Sequence, residues 1–185
     1  QNLDATGNGT NALINNSTIQ DNVAVNGGIG GGIDNVGNAS GATTTLTLNN
    51  STVSGNRASF LTGGISSNQV DSQVTLLNST IANNTAVSGF GGIWNNSGGT
   101  VNLTNTIIAN NVAPIGSDVF GVFTSQGNNL IGNPAGASGF VANDLLNVNP
   151  RLAPLGNYGG PTQTHALLPG SPAIDAAGAG ATGVD

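Results

Sequence analysis

The sequence contains no cysteine, methionine, lysine or glutamate. Without cysteine there is no disulfide framework and no thiolate metal site. Lysine, glutamate and methionine are good helix formers, and their absence turns the composition away from helix. Arg57 and Arg151 are the two basic residues; against eight aspartates they leave a net charge of −6. Only 5% of the 185 residues are charged, where an ordinary soluble domain carries about 25%. A nucleic-acid binder is excluded, since it needs a basic face to displace counterions. No apolar run approaches the ~20 residues that span a bilayer as a helix, so no membrane span is expected. The chain opens at Gln1 on no signal-peptide-like segment, which reads as a processed or trimmed product.

What is present is glycine, 30 residues of it, together with asparagine, serine and threonine, a composition of turns and β-branched strands. One eleven-residue stretch is written four times: "INNSTIQDNVA" at 14–24, "LNNSTVSGNRA" at 48–58, "LLNSTIANNTA" at 76–86 and "LTNTIIANNVA" at 103–113. The first asparagine falls at Asn16, Asn50, Asn78 and Asn105, the second at Asn22, Asn56, Asn84 and Asn111, and the alanine at Ala24, Ala58, Ala86 and Ala113. A second element lies between the copies, "GGGIDN" at 30–35, "GGISS" at 63–67 and "GGIWN" at 91–95. Within each unit, stretches such as "TLTLN" at 45–49 alternate apolar and polar residues with the period of a strand.

A fixed register of about 28 residues, three short strands to the unit, predicts an all-β fold: a right-handed parallel β-helix of four to five coils. Coils would lie near 12–45, 46–73, 74–100 and 101–135, within a β-helix region 1–140. Equivalent residues stack about 4.8 Å apart by strand pairing. Ile14, Leu48, Leu76 and Leu103, and Ile19, Val53, Ile81 and Ile108, become core columns. The eight asparagines become ladders along the stack, and the asparagines and glycines that separate the strands accept left-handed backbone at corners. The alanine column marks a crowded inward position. Asparagine and glycine also explain "GGIGGG" at 27–32, whose likeness to a dinucleotide-binding loop fails because no helix follows. The N-terminal coil is expected to be open, with no capping helix before it.

From Pro114 the pattern weakens. "SQGNNLIGNPAG" at 125–136 reads as a degenerate coil with Leu130 and Ile131 inward. Residues 141–185, rich in proline and glycine, read as an extended segment wrapping the helix, held by Leu152, Leu155, Leu167, Leu168 and Ile174. The run "LTLNNSTVSGNRA…GGI", then "NLIGN", then "DLLNVNPRLAPLGNYGGPTQTHALLPGSPAID" resembles the bacterial choice-of-anchor Q family, most specifically over 159–175. The resemblance implies export, anchoring at a cell surface and a β-helix. It implies no established chemistry. The chain departs from the family in lacking cysteines near "NLIG" and in stopping where a further closing motif would begin.

Catalysis by paired carboxylates requires two acids roughly 5–10 Å apart. Asp21 aligns with Gly55 and Asn83, and Asp34 with Ser66 and Trp94, so neither has an acidic copy in the stack. Uronic-acid lyase chemistry is disfavoured by the acidic net charge. The single histidine, His165, and Asp175 read as structural, and one histidine without cysteine excludes zinc. No catalytic residue, cofactor or metal is expected. Trp94 and Tyr158 are the candidates for a ligand or subunit contact, and Asn8 and Asn38 are the loop sequons best placed for glycosylation. The expected function is a non-catalytic extracellular structural protein of a cell surface or matrix, stacking on itself head to tail. The alternatives are a module that binds cell-surface polysaccharide, and a polysaccharide lyase or hydrolase.

Overall fold

A computed structural model describes residues 9–37, 41–96 and 98–178, together with the backbone of 2–4. Asn8 and Asn38 lie outside the described residues. The described chain is all β and contains no helix. Its strands stack in parallel into a β-helix with three long sheets. The first sheet is built from Asn2–Asp4, Ile33–Val36, Ile65–Asn68, Ile93–Asn95, Val119–Val122 and Ala137–Ser138. The second holds Asn11–Asn15, Thr44–Asn49, Ser72–Leu77, Thr100–Thr104 and Thr124–Ser125. The third holds Thr18–Gln20, Thr52–Ser54, Thr80–Ala82, Ile107–Ala109, Leu130–Ile131 and Leu145–Leu146. A narrow fourth sheet, Val23–Ala24, Arg57–Ala58 and Thr85–Ala86, turns each of the first three coils back towards the first sheet.

The register is the one the repeat dictates. Leu48 pairs with Ile14 and Leu76, and Leu76 with Leu103. Val53 pairs with Ile19 and Ile81, and Ile81 with Ile108. Leu46, Leu48, Val53, Leu76, Ile81, Leu103 and Ile108 have no exposed surface. Burying each such side chain contributes about 1.5–3 kcal/mol. Strands read inside-out with period two, as in Thr44–Asn49, where every second residue is buried.

Each corner follows from a residue that tolerates left-handed backbone. Asn16, Asn50, Asn78 and Asn105 turn the second sheet into the third with φ of 45°, 49°, 47° and 49°. Asp21, Gly55, Asn83 and Asn110 turn the third sheet outward with φ of 54°, 69°, 58° and 60°. Asp21 is therefore a corner residue. The glycine pairs work differently. Gly63, Gly64, Gly91 and Gly92 do not adopt left-handed φ; they are glycine because the chain passes too close to its neighbour. A Cβ on Gly91 would lie 2.2 Å from the Ser117 carbonyl oxygen, and one on Gly92 2.3 Å from that of Asp118.

The stack runs further than the periodicity indicated. Ile131 pairs with Ile108 and is fully buried, as expected of a degenerate coil. Leu145–Leu146 then adds one more strand on Leu130–Ile131. Residues 141–146 therefore belong to the stack, and the wrapping segment starts after them. There, Leu152–Gly156 and Thr164–Leu167 form an antiparallel hairpin. It lies on the outer face of the third sheet: the Thr18 hydroxyl donates to the Gln163 carbonyl at 2.7 Å, and Thr52 Oγ1 lies 3.3 Å from Thr164 Oγ1. Leu152, Leu155 and Leu167 are half-buried in this arrangement. The side chains of Leu168 and Ile174 do not anchor it: both residues are 45% exposed, although the Leu168 N–H still donates to the Arg151 carbonyl. The segment's later hold is polar, the Gly178 N–H donating to Asn105 Oδ1.

Candidate functional site

The residues that the repeat singles out converge on two internal ladders. In the inner asparagine row, the backbone N–H and the Nδ2 of each residue both donate to the Oδ1 of the next. The Asn22 pair reaches Asn56, the Asn56 pair Asn84 and the Asn84 pair Asn111, at 2.9–3.0 Å. The second Nδ2 hydrogen goes to a carbonyl one coil back, from Asn56 to Ile19, from Asn84 to Val53 and from Asn111 to Ile81. Such a row has one direction. Every rung needs an acceptor ahead of it, and the last needs one with no donor of its own left over. Asp118 supplies it: its Oδ1 accepts from the Asn111 N–H and Nδ2, and its Oδ2 from the Asn133 N–H at 2.7 Å. A carboxylate has acceptors only, so the row ends without an orphaned hydrogen.

A second row, of hydroxyls, lies beside the first corner. The Ser17 N–H donates to Ser51 Oγ and the Ser51 N–H to Ser79 Oγ. Further along, the Thr106 N–H donates to Asn129 Oδ1, and the Asn129 N–H and Nδ2 to Asp144 Oδ1. This row too ends on a buried carboxylate. Asp144 Oδ2 also accepts from the Val141 N–H. The sequence reading missed Asp144 because the steps shorten, to 23 residues from Thr106 to Asn129 and 15 from Asn129 to Asp144; it missed Asp118 because that residue stands only seven after Asn111, in the column of Gly64 and Gly92. The signal was there in "NNLI" at 128–131 and "NDLL" at 143–146, which copy "NTII" at 105–108.

The outer asparagine row, Asn16, Asn50, Asn78 and Asn105, is bonded from Asn50 Nδ2 to Asn16 Oδ1 at 2.7 Å and from Asn105 Nδ2 to Asn78 Oδ1 at 3.2 Å. Trp94 pairs with Ser66 and Phe120 on the first sheet and is half-buried. Its indole stacks on Phe90 at 5.3 Å, and Phe90 meets Phe120 at 4.6 Å. The aromatic neighbours cover part of Trp94. Tyr158 is 40% exposed on the hairpin loop, its hydroxyl donating to the Pro154 carbonyl. Trp94 and Tyr158 sit on different elements, one on the first sheet and one on the hairpin.

His165 is buried between hairpin and helix. Its Nδ1 lies 2.8 Å from the Ala153 carbonyl and its Nε2 2.9 Å from Ser54 Oγ. A carbonyl only accepts, so Nδ1 carries the hydrogen, while Nε2 pairs with the Ser54 hydroxyl. The pair has the form of a nucleophile and its base. Ser54 is only 2% exposed, however, and His165 4%; the imidazole works as a staple between hairpin and helix.

Two carboxyls are displaced from their ordinary range. Burial pushes Asp118 up, opposed by its bonds from Asn111 and Asn133. Burial also pushes Asp34 up, and among the described residues its Oδ1 has no hydrogen-bond partner. A carboxyl whose folded pKa is raised binds protons more readily in the folded state. Stability therefore grows as pH falls through the folded values, and the gain is complete near the ordinary value of 3.8. Thermal melts are expected to give a higher midpoint at pH 4.5 than at pH 7.5. Asp118→Asn should flatten the rise and lower the midpoint at both, since an amide there sets N–H against the Asn133 N–H. A midpoint that falls steadily with acid would overturn this.

Among the described residues no group of three histidine, cysteine or acidic side chains gathers to hold a metal ion, and no helix is long and apolar enough to cross a membrane. Comparison with protein-family models, with curated proteins and with solved structures found no match.

Proposed function

We propose that the protein is a non-catalytic extracellular structural protein, a β-helix belonging to a cell surface or matrix. The observation that carries this reading is that the buried polar residues of the repeat serve the stack itself. The inner asparagines and the column Ser17, Ser51 and Ser79 bond to their own copies, and Asp118 and Asp144 serve as ladder ends. A solenoid whose polar residues serve its own continuity is a rigid rod with little chemistry to offer. The resemblance of 159–175 to the choice-of-anchor Q family supports export and a surface location.

Self-assembly through the first coil has support at one end. Ala12, Ile14 and Ile19, the counterparts of fully buried residues above them, are only half-buried. A cavity of about 350 Å³ opens there, lined by Ile14, Thr18, Ile19, Gln20, Asn22, Gly32 and Ile33. The far end has a different character. Phe140 and Leu146 pack against the core, Phe140 on Phe123 at 6.0 Å, and both ladders have ended. Head-to-tail stacking would need that closing segment to move aside.

Negative-stain microscopy with light scattering tests assembly: uniform fibres would support the head-to-tail form, and dispersed particles of 18.0 kDa would remove it. Incubation with neutral and uronic-acid polysaccharides tests the rest. No release of reducing ends or unsaturated products is expected, and measurable turnover would overturn the non-catalytic reading.

A further inference from the structure

The outer asparagine row has a gap. Among the described residues it is bonded from Asn50 to Asn16 and from Asn105 to Asn78, and no bond joins Asn78 to Asn50. Asn50 Oδ1 is left as a free acceptor and Asn78 Nδ2 as a free donor, one coil apart. The gap falls where the hairpin crosses this corner. A cleft of about 40 Å³ opens there between Asn50, Ser51, Thr52, Asn78 and Thr80 on the helix and Gly160, Pro161, Thr162 and Thr164 on the hairpin. Among the described residues the Thr80 and Thr162 hydroxyls have no protein partner. No charged side chain lines the cleft.

We propose that this cleft is a subsite for the hydroxyl groups of a neutral saccharide. An alcohol both donates and accepts, so one hydroxyl can donate to Asn50 Oδ1 and accept from Asn78 Nδ2, while its neighbour on the ring meets Thr80 or Thr162. An anionic ligand finds no cation here, and the net charge of −6 repels it at longer range. The volume holds the edge of a sugar, about the room of two or three waters. The rest of the ring would lie outside, towards the loop that carries exposed Tyr158, two residues before Gly160. The loop's glycines and Pro161 leave space at the rim. The inference goes beyond the structural reading and does not rest on it: turnover would overturn that reading and leave the subsite standing.

The test uses the full chain, labelled with ¹⁵N, and follows the side-chain amide signals of Asn50 and Asn78. The probes are xylo-, cello- and manno-oligosaccharides, with oligogalacturonate as the charged control. At least one neutral probe is expected to move both signals saturably. Asn78→Asp keeps the acceptor for Asn105 and removes the donor; Thr80→Val removes the hydroxyl at equal size. Each should weaken binding roughly three- to tenfold, while Thr47→Val, on the second sheet, leaves it unchanged. The proposal is overturned if no neutral probe moves these signals, if oligogalacturonate binds as well, or if Asn78→Asp binds with unaltered affinity.

Discussion

Replacing Gly91 with alanine is expected to cost more than about 3 kcal/mol, and so to remove much of the ~5–15 kcal/mol that holds a domain folded. Gly91 stands where the first sheet begins, tucked against the coil that follows it. The new Cβ would sit 2.2 Å from the Ser117 carbonyl oxygen and 2.8 Å from the Val112 amide nitrogen. Both are backbone atoms, so no side chain can swing away. The carbonyl and amide edges of two coils would have to part, breaking the Gly91 N–H bond to the Gly116 carbonyl and the Gly92 N–H bond to that of Ser117. Denaturant titration of Gly91→Ala beside the exposed Ser88→Ala measures the difference. Equal midpoints for the two would show that the coils are not held this closely.

The second large effect is expected at Asn84→Leu, in the middle of the inner ladder. Asn84 Oδ1 accepts two bonds from Asn56, and its Nδ2 donates to Val53 and Asn111. Leucine keeps the branched arrangement of four side-chain heavy atoms and makes none of these bonds. Two donors on Asn56, itself without exposed surface, would lose their acceptor. A buried polar group left unpaired costs about 1–3 kcal/mol, so the substitution should cost about 3 kcal/mol or more. Asn16→Gly makes the contrast. It keeps the left-handed corner and loses one exposed bond, and it should change stability by less than about 0.5 kcal/mol. If the two variants melt alike, the ladder contributes nothing beyond its corners.

These two residues were not equally readable. The inner asparagines could be placed from their spacing, because in a solenoid a residue's neighbour is its own copy one coil away, and the 28-residue step from Asn56 to Asn84 names that neighbour directly. The glycine pairs were visible as a repeat, yet their cause was not. Corner backbone and close approach both select glycine, and only the contacts at Gly91 distinguish them. Trp94 was placed on an outward strand position by alternation, but its cover depends on Phe90, four residues back across a bend, which alternation does not report.

What the sequence by itself determined is the periodic part: the parallel β-helix, its core columns, its asparagine corners and its asparagine ladders. Each follows from local spacing and residue type, since strand period and coil period are both short-range rules. Tertiary structure decided where the period stops. One ladder ends at Asp144 because the coils shorten, and a shortened coil no longer announces its neighbour by a fixed step; the other ends at Asp118, which reaches it from a glycine column seven residues after Asn111. Tertiary structure also decided that the hairpin covers the third sheet. Its staple joins Ser54 to His165 across 111 residues, and a contact of that separation leaves no periodic trace in the chain. The gap between Asn50 and Asn78 arises at that same crossing, where the one antiparallel element among the described residues meets the parallel stack.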